Sequence, residues 1–179
     1  KRAMWSEPYY DEDGGNIVMT TYSVPVFLRE DSQMKLQGVA TSDVSLAWLK
    51  DIVSSVRIYQ SGYAFVISQN GVFVTHPDER LIMRSSIFSV AEAQGDQRLR
   101  RLGRAMIRGG EAFVPVRDFA TGKDSWLYFA PLPANGWSVG VIFPAAELFA
   151  DIHKLSQEVI FIAITGFVVL LLAVVLISA

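Results

Sequence analysis

The spacing of hydrophobic residues along this chain changes several times, and each change marks an element. The last 21 residues, Val159 to Ala179, carry no charge. At 1.5 Å per residue an α-helix of that length crosses a roughly 30 Å hydrocarbon layer, so the pattern predicts a transmembrane helix over 159–179. Just ahead of it, Leu148, Ile152 and Leu155 recur at spacings of four and three, Pro144 suits a helix start, and no proline follows. A stalk helix over 145–158, continuous with the span, is therefore expected.

Upstream, short strands alternate with single helices. Trp5 to Asp11 and Ile17 to Phe27 flank Asp13-Gly14-Gly15-Asn16, a hairpin signal, with Val18, Tyr22, Val24 and Val26 available to a core. Met34 to Thr41 reads as a further strand. From Val44 to Val56 the residues Leu46, Leu49, Ile52, Val53 and Val56 fall at helical spacing, and Asp43 stands where an N-cap belongs. Tyr63 to Ser68 and Val72 to His76 form a second hairpin about Asn70-Gly71. Gln97 to Ile107 reads as a helix with Leu99, Leu102, Met106 and Ile107 inward. Ala112 to Arg117, Trp126 to Ala130 and Trp137 to Phe143 then alternate as strands between segments rich in turn formers. The order predicts an α+β fold of PAS-like antiparallel sheets with helices on one face.

Composition narrows the chemistry. A net charge of −2 gives no reason to expect nucleic acid as a partner. The absence of cysteine excludes disulfides, thiolate metal sites and cysteine nucleophiles. The opening KRAMWSEPYY has no apolar stretch of the signal-peptide kind, and with an apolar span at the other end the chain reads as one side of a longer membrane protein. The local charge rule says little about the side, because Lys154 is the one base close to the span while Asp151 and Glu158 lie beside it; a non-cytoplasmic side is expected.

Five segments in order carry a resemblance: EPYYD at Glu7 to Asp11, YSVPVF at Tyr22 to Phe27, GVATSDVSL at Gly38 to Leu46, GYAFVISQNGVFVTHPDE at Gly62 to Glu79, and GWSVGVIFPAAELFADI at Gly136 to Ile152. Together they resemble the extracytoplasmic double Cache sensors of bacteria. The resemblance implies two PAS-like modules, a membrane-distal one that binds a small ligand and a proximal one that leads into the membrane. Residues 1–56 would be the carboxyl-terminal part of the distal module and 57–144 the proximal module. The family's members that bind amino acids use a Tyr in a PY-x-D strand and an Asp after GV-x-x-x-D, which Tyr9 and Asp43 match. Their Arg and Trp come from an earlier segment that this chain does not contain. Trp5 and Tyr22 are further ligand-binding candidates that also suit a core. In such a site a carboxylate holds an ammonium group while a phenol closes over the ligand. An amino acid, another amine or a carboxylic acid all remain open.

Blander roles stand beside these. Asp43 could only cap its helix, worth about 1 kcal/mol, and Tyr9 could be a core tyrosine whose hydroxyl reaches water. His76-Pro77-Asp78-Glu79 holds metal-capable types, but the only other histidine is His153, and a metal needs three or four converging ligands. No metal and no cofactor are expected. Arg98, Arg100, Arg101, Arg104 and Arg108 would cover the outer face of their helix, as a solvated surface or a seat for an anion or lipid headgroup. No nucleophile elbow, phosphate-binding glycine loop or histidine–carboxylate pairing occurs, so no catalytic residue is assigned. The expected function is small-ligand sensing by a homodimeric transmembrane receptor of the bacterial inner membrane, with residues 1–158 extracytoplasmic. Its output, a kinase, phosphatase, cyclase or chemotaxis module, would lie outside this chain. The alternatives are a membrane-anchored structural or protein-binding ectodomain and a membrane-anchored hydrolase.

Overall fold

The computed structural model describes residues 2–12, 15, 17–30, 33–56, 58–150 and 164–165, and its chain divides into two units, Lys1–Pro144 and Ala145–Ala179. The first unit holds two antiparallel sheets.

In the first sheet the long strand β3 (Ile17–Glu30) is central. It is flanked on one edge by β1 (Met4–Trp5) and β2 (Tyr9–Asp11) and on the other by β4 (Gln33–Ser45). The expected strand Trp5 to Asp11 is thus broken in two. At the break the Ser6 backbone N–H donates to Thr21 O, while Ser6 Oγ accepts the Thr21 N–H at 2.9 Å, a side chain replacing one rung of the ladder. β4 runs four residues past the expected end at Thr41. Its pairing continues to Ser45 opposite Met19, and the Leu46 N–H then bonds to Val18 O.

Helix α1 (Ala47–Ser55) follows at once and leads to the second sheet, β5 (Tyr63–Ile67), β6 (Phe73–Thr75), β7 (Ala112–Arg117), β8 (Asp124–Leu132) and β9 (Trp137–Pro144), in spatial order β6-β5-β9-β8-β7. The β5–β6 turn places Gly71 at φ +80°, which suits glycine, as Asn70-Gly71 predicts. On one face Phe65, Ile67, Phe73, Leu127, Phe129 and Ile142 form the larger core with Ile87 and Ala91 of α2 (Ile87–Ala93) and Leu99 and Met106 of α3 (Gln97–Ile107). Gly140 faces Phe65 in register, and a methyl group there would run into the Phe65 ring.

The helices are not confined to one face. On the opposite face Val66, Val74 and Trp137 pack under Leu46, with Leu49 and Val53 of α1 alongside. β5 is consequently buried on both sides, the reason its sequence YAFVI is an apolar run rather than an alternation. Ile52 and Val56, expected inward, are 55% and 48% exposed, because α1 turns only Leu49 and Val53 toward the sheet.

α3 spans the residues expected of it. Asp96 accepts the N–H groups of Arg98 and Leu99 at its start, and Arg98, Arg101, Arg104 and Arg108 are exposed around its outer side. In the second unit α4 (Ala145–Leu148) begins directly after Pro144. Most of the expected stalk over 145–158 and of the span over 159–179 lies outside the described residues. Among the described residues no helix is long and apolar enough to cross a membrane.

Candidate functional site

Successive side chains of a strand point to opposite faces, so residues paired across a ladder share a face. Tyr9 pairs with Met19 and Asp43 with Thr21, which puts Tyr9, Thr21 and Asp43 on one side of the first sheet. Thr21 Oγ1 donates to Asp43 Oδ1 at 2.7 Å. Its own proton thereby committed, Thr21 accepts the Tyr9 hydroxyl at 2.9 Å, and that hydroxyl also lies 3.4 Å from Asp43 Oδ1. The result is a row of phenol, hydroxyl and carboxylate in which Asp43 Oδ2 accepts no hydrogen bond from the described residues. Tyr9 is 37% exposed and Asp43 is exposed. A preoriented carboxylate with one oxygen open, beside an aromatic ring, is able to take an ammonium group.

Asp43 does not cap α1. It lies within β4, the N-cap position belongs to Leu46, and no side chain bonds the helix start from that position. The capping role fails because strand pairing carries on through Ser45, which holds Asp43 extended opposite Thr21. Trp5 and Tyr22 pair with each other on the other face of the sheet, their rings 4.8 Å apart, and the Trp5 indole N–H reaches Ala134 O in the β8–β9 turn at 2.9 Å. They tie the first sheet to the second and are not gathered with Tyr9 and Asp43. Thr21 is the member sequence reasoning missed. Only its cross-strand register with Asp43 could have revealed it.

A separate cleft of about 750 Å³ opens at the end of β6, lined by α1 residues Lys50 and Val53, by Tyr63, and by Thr75, His76 and Arg80 among others. His76 is buried, and its Nδ1 accepts the Asp78 N–H at 2.9 Å. Burial pushes the imidazole below its ordinary range, although the Asp78 bond and the charges of Asp78 and Asp118 act the other way. Asp78 and Glu79 do not join His76 in a ligand set. Arg80 grips both oxygens of Asp78 and holds its carboxyl down to about 2, while Glu79 pairs with Lys50 at 2.6 Å. Deeper in, Tyr63 donates to the buried Asp118 at 2.6 Å, and burial followed by the Asp118 charge pushes the Tyr63 hydroxyl well above its ordinary range.

Antiparallel sheets with flanking helices agree with a family-level match: the model of the Cache domain covers residues 2–152. The chain belongs to the Cache domain family. This Cache chain is 36% identical over 80 residues to the methyl-accepting chemotaxis protein PscA of Pseudomonas syringae pv. tomato, a match covering 45% of this chain and 12% of that one. It resembles the extracellular domain of the histidine-kinase candidate mmHK1S-Z3 with a TM-score of 0.70 and 25% identity, over 86% of this chain and 53% of that one. It also resembles the ligand-binding domain of the amino-acid chemoreceptor PctC of Pseudomonas aeruginosa PAO1 in complex with GABA, with a TM-score of 0.54 and 28% identity over 79% and 56% of the two chains. The chain thus spans about half the length of these solved sensor domains and about an eighth of the chemotaxis protein.

Proposed function

We propose that this Cache chain is the extracytoplasmic sensing part of a bacterial inner-membrane signalling receptor and that its ligand is a small amine, an amino acid first among them. Residues 1–56 would belong to the membrane-distal module and 57–144 to the proximal one. Residues 145–158 would form the stalk and 159–179 the transmembrane helix, in a homodimer whose output lies in a separate cytoplasmic domain. The observation that carries the reading is the hydrogen-bonded row Tyr9–Thr21–Asp43, which presents one open carboxylate oxygen beside a phenol on a single sheet face. GABA, held by PctC, is itself an amine. Calorimetry on the full-length receptor with a panel of amino acids and amines tests it. Asp43→Ala should weaken the binding amine by at least about 2 kcal/mol, because a ligand charge loses its partner. Unchanged affinity would overturn the assignment.

A second reading, a membrane-anchored ectodomain that binds protein, is favoured by the exposure of Val24, Val26, Leu28, Leu36 and Val39 along the β3–β4 ribbon. A panel in which no small molecule saturates the receptor would favour it over the first.

A further inference from the structure

Between β6 and Leu81, which packs on the larger core, the chain forms a short strap, His76-Pro77-Asp78-Glu79-Arg80, all of it lining the cleft of about 750 Å³. Two ties hold the strap. At its root the His76 ring is buried among Tyr63, Phe65, Phe73 and Phe119, with centroids 5.2 to 6.2 Å away, and its Nδ1 accepts the Asp78 N–H at 2.9 Å. Farther along, Glu79 crosses to Lys50 of α1 at 2.6 Å. Pro77, between them, has no N–H to add a third tie.

A ring nitrogen that accepts is unprotonated, so the neutral ring carries its proton on Nε2, which is buried without a partner among the described residues. The bond to Asp78 is thus the one this ring makes there. Acid puts a proton on Nδ1 and sets donor against donor, and that bond is lost. The groups facing the ring offer the imidazolium no open acceptor: Asp118, in the loop after β7, already accepts the Tyr63 hydroxyl, the Ala120 N–H and the Thr121 hydroxyl, while Asp78 and Glu79 are paired with Arg80 and Lys50. A buried charge without a partner is costly. Burial accordingly keeps the imidazole neutral to lower pH than usual, against the pull of Asp78 and Asp118. We propose that His76 and residues 77–80 form an acid-released strap, which is closed while the ring is neutral and leaves the cleft wall beside α1 once Nδ1 is protonated. The proposal takes from the extracytoplasmic reading only what the strap senses, the acidity outside the cytoplasm.

The chain has two histidines, so ring resonances of the full chain, ¹⁵N-labelled in phospholipid nanodiscs, report His76 with little overlap. From pH 7.5 to 5 the Asp78 amide should lose its protection against hydrogen exchange, corrected for the intrinsic effect of pH, at the midpoint where His76 Nδ1 takes up its proton. The Asp78 carboxyl, held down to about 2, stays ionised throughout. His76→Asn replaces Nδ1 with an amide oxygen that accepts the same N–H and does not titrate, so the Asp78 amide should stay protected to pH 5. Glu79→Gln unties the far end of the strap. Loss of that negative charge alone would lower the His76 midpoint, whereas easier release raises it, by roughly 0.2–0.7 of a pH unit. An Asp78 amide still protected at pH 5 in the unaltered chain, loss of protection at a midpoint other than the ring's, the same loss in folded His76→Asn, or a midpoint that falls or stays in Glu79→Gln would overturn the proposal. If His76→Asn does not fold, the two midpoints of the unaltered chain decide it. No amine enters these measurements, so their failure would leave the Tyr9–Asp43 assignment standing.

Discussion

Tyr63 and Asp118 lie 55 residues apart in sequence and are joined by a hydroxyl-to-carboxylate bond of 2.6 Å, which fastens the first strand of the second sheet to the loop after β7. Asp118 is only 3% exposed, and its remaining bonds, from Ala120 N–H and the Thr121 hydroxyl, are local to that loop. Among the described residues Tyr63 is the one long-range donor to this carboxylate, and Tyr63→Phe removes it while preserving the ring. It should cost about 1–3 kcal/mol in a urea titration, the range for a buried acceptor deprived of a partner. A change below a few tenths of a kcal/mol would mean water replaces the phenol.

Thr21 bridges the two residues that sequence resemblance singles out. Thr21→Val keeps the β-branched shape and the strand preference but removes the hydroxyl that orients both Tyr9 and Asp43. Affinity for the amine should drop about tenfold with little change in the melting curve, since one charge-assisted hydrogen bond is lost at an exposed site. Calorimetry and thermal melting, run on the same variant, separate the two effects.

His76 ought to make stability pH-dependent on the acid side. Its folded-state pKa lies below the ordinary 6.5, so as pH falls below about 6.5 the unfolded chain takes up a proton that the folded chain does not. The unfolded state then binds more protons, and stability rises with pH across that window and declines as acid is added. Urea midpoints measured between pH 7.5 and 5 should fall with acid in the unaltered chain. The slope should be shallower in His76→Asn, and parallel slopes would remove His76 from the explanation.

The boundary between modules can be tested through α1. From sequence, residues 60–144 should fold without residues 1–56, and the second sheet does lie wholly within them. Yet Leu46, Leu49 and Val53 cover the face formed by Val66, Val74 and Trp137. A fragment of residues 44–144 should therefore melt well above one of 57–144, which leaves that face open to water. Equal melting temperatures would show that α1 contributes nothing to the second sheet.

Local signals were enough for part of the structure. α3 and β7 were legible because an amphipathic 3.6-residue period and a clean alternation are properties of neighbouring residues. α2 escaped, having only seven residues and a capping box made by Ser86 and Ser89 rather than a serine and a glutamate. Asp43 was misplaced at a helix start because GVATSD followed by helical spacing suits a cap as well as a strand end, and only pairing with Thr21, 22 residues earlier, decides between them. Tyr9 and Asp43 could be read from motif resemblance. Thr21 and the unpartnered Nε2 of His76 could not, since register and burial arise from residues far apart in the chain.

β4 runs extended from Asp43 to Ser45, and the chain bends at the next residue, Leu46, to enter α1. Over the three steps from Asp43 to Leu46, roughly 10 Å of chain, every step is pinned to β3, and Leu46 is sealed into the core beneath the second sheet. A tug on the carboxylate has no slack loop in which to be lost. A displacement of Asp43 along the strand would reach Leu46 and, through it, the cluster of Val66, Val74 and Trp137, in a close-packed interior. The strand is in this sense a short lever, with its handle among the polar groups of one sheet and its working end in the hydrophobic floor of the other.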